Sequence, residues 1–245
     1  MMSTPRIIKH LLIINIIFFV GTQFSSEISN DILSLHYFEN EKFIVSQIFT
    51  HMFMHGNLAH IAFNMLALWM FGSTLVNVWG NNKFIFFYFS CGVGAALVQL
   101  TAYYLNRQSV TSELFSFGLT SQDVNDILLS GRYDQDILDF ISENRLASMY
   151  YDYNAVMVGA SGAIYGVVVA FAFLFPNSKL MLLFPPIPIK AKFLVPLLIV
   201  GDIFFGFTSA SIGPIAHFAH LGGALTGFIM MWYWKRNQFN NRRWN

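Results

Sequence analysis

Six stretches of this chain are apolar over lengths that approach or exceed the roughly 20 helical residues needed to cross a hydrocarbon core. They lie near Ile7–Phe24, Phe49–Trp79, Phe84–Leu105, Val156–Phe175, Phe193–Ala210 and Ile215–Trp234. Only 11% of the 245 residues are charged, against about 25% in soluble domains, so the composition argues against a water-soluble globule. The second stretch is too long for one simple span, which makes its start around His51–Asn57 interfacial or irregular. The first has no small-residue cleavage site at Gly21-Thr22-Gln23-Phe24 and reads as an uncleaved span. The single cysteine, Cys91, allows no intrachain disulfide and reads as a small core residue. A net charge of +1 without a basic patch among exposed aromatics gives no footprint for nucleic acid.

Positively charged loops stay on the cytoplasmic side of a membrane. With the amino terminus inside, Arg6, Lys9, Lys83, Lys179, Lys190, Lys192, Lys235, Arg236, Arg242 and Arg243 all fall inside. Lys42, Arg107, Arg132 and Arg145 fall outside with every carboxylate except Asp202. The expected fold is therefore an all-α membrane protein of six transmembrane helices with both termini cytoplasmic, a single domain over residues 1–245. A polar outer insertion at about 106–153 interrupts it between the third and fourth helices. Within it Val124, Ile127 and Leu128, then Ile137, Leu138 and Ile141, recur at helical spacing, and Gly131 ends the first short helix. A pair of small amphipathic helices is expected there, packed over the bundle mouth or lying on the lipid surface.

Polar side chains at membrane depth are costly and mark functional sites. Ser161, in Gly159-Ala160-Ser161-Gly162, and His220, in His220-Leu221-Gly222-Gly223, each fall about five residues into an outward-opening span. At 1.5 Å per residue both lie roughly 8 Å below the outer boundary. Span two enters from the same side, and His60 and Asn64, spaced i and i+4, share one of its faces. A serine hydroxyl becomes a useful nucleophile when a neutral imidazole takes its proton. Gly162 and Gly166, and Gly223 and Gly227, have the four-residue spacing that lets membrane helices approach closely. Acyl transfer also needs donors for an oxyanion; His60, the Asn64 amide and the Ser161 backbone N–H are candidates.

These residues resemble the rhomboid family of intramembrane serine proteases over essentially the whole chain except the insertion. The resemblance rests on Gly159-Ala160-Ser161-Gly162 with Tyr165, on Ala219-His220 followed by Gly223 and Gly227, and on His60-Ile61-Ala62-Phe63-Asn64. Phe184–Lys192 also looks like the family's proline-rich basic loop. The resemblance implies that Ser161 is the nucleophile and His220 the general base and acid, a dyad without an acidic third member. It implies oxyanion stabilisation by His60 and Asn64, and a Tyr165 ring packed against His220. Span five would be the mobile wall through which a substrate helix enters. Cleavage of transmembrane proteins near the outer face of the bilayer is implied, with no cofactor and no metal. The expected location is an integral, multi-pass position in a bacterial inner (plasma) membrane with the site towards its outer face. The outer connection is longer than the family pattern, and the first outer loop, about Ser25–Ser46, is shorter.

Other chemistries are weighed on the same residues. His51 and His55 have the i, i+4 spacing of zinc ligands but enclose no carboxylate. Asp202 stands alone in span five and reads as a helix-packing group below the level of Ser161; the functional alternative is a proton relay or a third catalytic member. His217, three residues before His220, lacks the following glycine register. Two other functions compete: a catalytically silent rhomboid-like binder of transmembrane clients, and a six-helix proton or ion transporter lined by His60, Asp202 and His220.

Overall fold

The computed structural model describes residues 4–24, 26–181, 187–208 and 216–237. Helix α1 (Arg6–Phe24) leads through α2 (Ser26–Leu33) to the short strand β1 (Leu35–His36). One helical turn, α3 (Gln47–Thr50), continues into a 3-10 turn at His51–Phe53. The next helix is α4 (Leu58–Ala67), a π turn at Leu68–Gly72 and α5 (Ser73–Trp79), running without a break. The long second apolar stretch therefore does begin irregularly. Asn57 defines the true helix start, its side-chain oxygen accepting a 2.8 Å bond from the His60 N–H. Gly80, at φ +79°, ends this helix in a backbone conformation that a side chain disfavours.

Helix α6 spans Asn81–Ser116, well beyond the expected Phe84–Leu105. Its 36 residues correspond to about 54 Å, more than a bilayer core requires. The excess is stabilised by packing: Val110 and Leu114 are buried in one cluster with Val124, Ile127, Leu128, Ile141, Leu146 and Met149. The connection is thus a packed subdomain built around the end of α6. Helix α7 (Ser121–Ser130) starts at a Thr120–Asp123 capping box and stops at left-handed Gly131. The second expected helix differs. Gln135–Asp139 forms a 3-10 turn in which Leu138 is exposed, and α8 (Glu143–Asn154) follows it.

Asp152 on α8 accepts a 2.6 Å bond from the Asn106 side chain of α6. Burial pushes its carboxyl up to about 6, only partly offset by Asn106. The folded state then binds this proton more tightly than the unfolded chain, so the group favours folding below about pH 4 and its contribution is lost as pH rises through about 6. Asp152→Asn is expected to raise the thermal midpoint at neutral pH and leave it unchanged near pH 4. Midpoints in detergent across that range check this; an equal shift at both ends would contradict it.

After strand β2 (Val156–Met157) come α9 (Ser161–Leu174), strands β3 (Lys179–Met181) and β4 (Pro188–Lys190), α10 (Ala191–Phe207) and α11 (His217–Arg236). Strand β2 pairs antiparallel with β1, and β3 with β4. The expected fourth span began at Val156; the helix begins only at Ser161, because Val156–Met157 is engaged in this pairing. Phe184–Pro186, Ala210, Ile215, Arg242 and Arg243 of the expected loop, spans and charge pattern lie outside the described residues. Among the described residues, three helices are long and apolar enough to cross a membrane: Arg6–Phe24, Leu58–Trp79 and Asn81–Ser116. Helix α9, of 14 residues, is shorter than that measure.

Helices α6, α9 and α11 form the centre, at distances only small residues permit. A Cβ added to Gly227 would lie 2.7 Å from the Gly166 Cα, and one on Gly166 would lie 2.9 Å from the Gly223 carbonyl oxygen. Cys91 is buried against Gly166, where it acts as a small core side chain. Helix α10 lies at the edge. It buries only Ala191, Val195 and Asp202, while Phe193, Leu197, Val200 and Phe204 stay exposed.

Candidate active site

Ser161 is the first residue of α9, and the approach to it is held in an extended form. Gly159 adopts φ +121° and donates its N–H to the His51 carbonyl at 2.9 Å. The His51 ring in turn lies 2.8 Å, through Nδ1, from the Gln47 carbonyl. Gln47 is fully buried; its amide donates to the Asp31 and Lys42 carbonyls and accepts from the N–H groups of His36 and Ile44. This network, with the β1–β2 pairing, delivers the chain to Ser161 from the side rather than down a helix. The first intrahelical bond runs from the Ile164 N–H to the Ala160 carbonyl. The N–H groups of Ser161, Gly162 and Ala163 therefore have no helical acceptor, and the α9 N-terminus carries partial positive charge beside the hydroxyl.

His220 lies in the first turn of α11, and its Nε2 is 3.0 Å from Ser161 Oγ. The Tyr165 ring, one turn along α9, stacks on the imidazole at 4.2 Å between centroids and 9° between planes. Contact at this range depends on Gly162 and Gly223. A Cβ on Gly223 would sit 2.6 Å from the Gly162 carbonyl carbon, and one on Gly162 would run into the Ala95 side chain. Gly227 repeats the close approach one turn further along.

His60 projects over the same point. A Cβ on Gly159 would lie 2.7 Å from His60 Nε2 and 3.6 Å from Ser161 Oγ, so glycine leaves the space that the imidazole occupies. His55 meets His60 edge-on at 5.1 Å. Asn64 is one turn below His60 on the same face of α4. It is buried, and among the described residues its Nδ2 has no hydrogen-bond acceptor. Buried amide donors are normally satisfied, so Asn64 is a donor in reserve.

Asp202 does not sit below the site. Its Oδ1 is 3.0 Å from His220 Nδ1 and 2.6 Å from His217 Nδ1. Helix α10 ends at Phe207, five residues beyond Asp202, and a single imidazole, that of His220, separates the Asp202 carboxylate from Ser161 Oγ. The signal available in the sequence was the lone carboxylate in an apolar helix, but nothing there showed that both histidines of α11 face it. His217 touches the carboxylate and not the serine. Its ring lies against Phe205 at 5.8 Å.

Among the described residues, Asp202, His217 and His220 alone bring three potential metal-ligating atoms within 4.8 Å. Both imidazole Nδ1 atoms already share one carboxylate oxygen, so hydrogen bonding accounts for the cluster. His51 and His55 direct Nδ1 at separate backbone carbonyls.

The family described as the Rhomboid domain matches residues 42–122 and 138–237. Rhomboid protein 1, mitochondrial, of Saccharomyces cerevisiae is 24% identical over 183 residues, 74% of this chain and 39% of the relative. The human and mouse presenilin-associated rhomboid-like proteins, mitochondrial, are each 27% identical over 201 residues, 78% of this chain and 38% of theirs. The chain thus spans about two fifths of the length of these curated relatives. All three are named mitochondrial, so the expected bacterial plasma membrane draws no support from them.

Proposed function

The chain belongs to the rhomboid family, and on that premise we propose that it is an intramembrane serine endopeptidase, cleaving transmembrane proteins near one membrane face. One observation carries the reading: Ser161 Oγ lies 3.0 Å from His220 Nε2, on a ring fixed by Tyr165. In the acylation step Ser161 Oγ bonds to the scissile carbonyl carbon as its proton passes to His220 Nε2. The carbonyl oxygen becomes an oxyanion, held by the Ser161 N–H, the Asn64 amide and His60. Its collapse breaks the C–N bond, and His220 returns the proton to the departing amine. Water then gives a proton to His220 and attacks the acyl ester, releasing the acid and restoring the Ser161 hydroxyl.

The partners are transmembrane substrates and the bilayer. The six apolar helices cross it with both termini on one face and the site towards the other. Helix α10, at the edge of the bundle and largely exposed, is the wall a substrate helix approaches. No cofactor takes part in these steps.

Reconstitution with a single-span reporter tests the proposal. The expected result is one cut at the end of the span nearest the site. An intact reporter with proton or ion flux across the liposomes would instead select the transporter reading, and reporter binding without cleavage the silent binder. Asn64→Ala is expected to lower kcat about 10²–10³-fold with little change in KM, as loss of one oxyanion donor does. Steady-state cleavage checks it, and an unchanged kcat would remove Asn64 from the oxyanion site.

A further inference from the structure

We infer that Asp202 and His217 are positioning residues for this reaction, Asp202 completing a Ser161–His220–Asp202 hydrogen-bonded line from α10; the inference rests on the proteolytic reading. A carboxylate buried in an apolar helix must be paired, and this one is paired twice through the same oxygen. An ionised carboxylate only accepts, so Asp202 draws the Nδ1–H from both rings. His220 is thereby held as the tautomer with its lone pair on Nε2, the nitrogen facing Ser161.

Stacking alone leaves this undecided. Tyr165 sets the plane of the His220 ring at 9° to its own, but a half-turn about Cβ–Cγ restores that plane with ring nitrogens and carbons exchanged. The bond to Asp202 removes that freedom and selects the nitrogen presented to the serine. When Nε2 takes the Ser161 proton, the imidazolium keeps its Nδ1–H on Asp202, and its charge is countered where water is scarce. Nothing else is consumed, because the proton moves from Oγ to Nε2 and on to the leaving amine. His217, at 2.6 Å, holds the carboxylate oxygen in place. The two histidines are i and i+3 on α11, so α10 meets a two-pronged donor at the level of the reaction.

The test uses the full chain in liposomes with a transmembrane reporter, resolving kcat from KM for Asp202→Asn, Asp202→Glu and His217→Gln. Thermal midpoints are measured alongside. Nitrogen-15 spectra of the imidazoles, with His220 assigned through His220→Gln, report which nitrogen is protonated. Asp202→Asn nearly preserves shape but lets the amide donate, and is expected to lower kcat by up to about 10⁴-fold, the size of the corresponding change in a serine-protease triad. KM should stay within about threefold, and the His220 proton should redistribute from Nδ1 to Nε2. Asp202→Glu should restore part of kcat, and His217→Gln should lose roughly tenfold. A kcat for Asp202→Asn within about threefold of the unaltered chain would overturn the inference. So would a loss carried by KM or unfolding alone, or Nε2–H as the original tautomer. An unaltered chain that neither cleaves nor reacts with a fluorophosphonate would sink the proteolytic reading itself, and the tautomer would still decide the role of Asp202.

Discussion

Ser161→Ala is expected to abolish reporter cleavage and covalent labelling by a fluorophosphonate probe together. The hydroxyl at 3.0 Å from His220 Nε2 is the only part of this side chain that alanine lacks, so the fold should survive. Removing the nucleophile of a serine protease costs on the order of 10⁶ in kcat, the residue of activity coming from oxyanion donors and binding. Those donors are on α4 and the α9 backbone and remain in the variant. Labelling that persists in Ser161→Ala would place the nucleophile elsewhere. His220→Ala should lose activity on the same scale, whereas His217→Ala, which touches Asp202 and not Ser161, should lose much less. The reverse order would reassign the base.

The second large effect is expected at a residue with no chemistry. Gly223 lies three residues after His220, and Gly162 directly follows Ser161, so one backbone contact sets the spacing of both reacting groups. A methyl group at Gly223 would press on the Gly162 carbonyl, and neither partner is a flexible side-chain end that could yield. Gly223→Ala should therefore force α9 and α11 apart. Overpacking of this kind costs about 1–3 kcal/mol in stability. The displacement matters more for rate, because a misplacement of about 1 Å at a reacting centre costs about 10²-fold. Gly227→Ala meets the Gly166 Cα at 2.7 Å one turn away from the chemistry. It should destabilise similarly while lowering kcat less. Gly21→Ala on α1, with nothing within 4 Å of the new Cβ, serves as the reference and should be neutral. Equal kcat values for Gly223→Ala and Gly21→Ala would show that this contact does not set the geometry.

Much of this protein was legible in one dimension. Long apolar runs announce helices in a lipid solvent, and their paired glycines announce where such helices touch. Gly131 marks the end of α7 as plainly as any hydrophobic pattern, whereas its Thr120–Asp123 capping box emerged only in the structure. His60 and Asn64 share a face because their spacing permits nothing else in a helix. Apolar composition alone does not distinguish helix from extended chain. Val156–Ala160 is apolar enough to continue α9, yet Gly159 takes a positive φ and Val156 pairs with His36, so the helix starts at the serine. That displacement turns Ser161 from a side chain on a helix face into one at a positively polarised helix end.

Asp202 shows the same limit more sharply. Its chemistry was visible as a carboxylate in hydrocarbon, but its level depends on where α10 stops, and its partner depends on which way α11 faces. By itself the sequence determined which residue types could react, which helices could pack closely and that lipid was their solvent, because each follows from local composition and periodicity. Only the tertiary structure decided that Ser161, His220 and Asp202 form one hydrogen-bonded line and that His217 supports it from behind, because bonds of 2.6–3.0 Å between separate helices depend on crossing angles and end points that no spacing along the chain encodes.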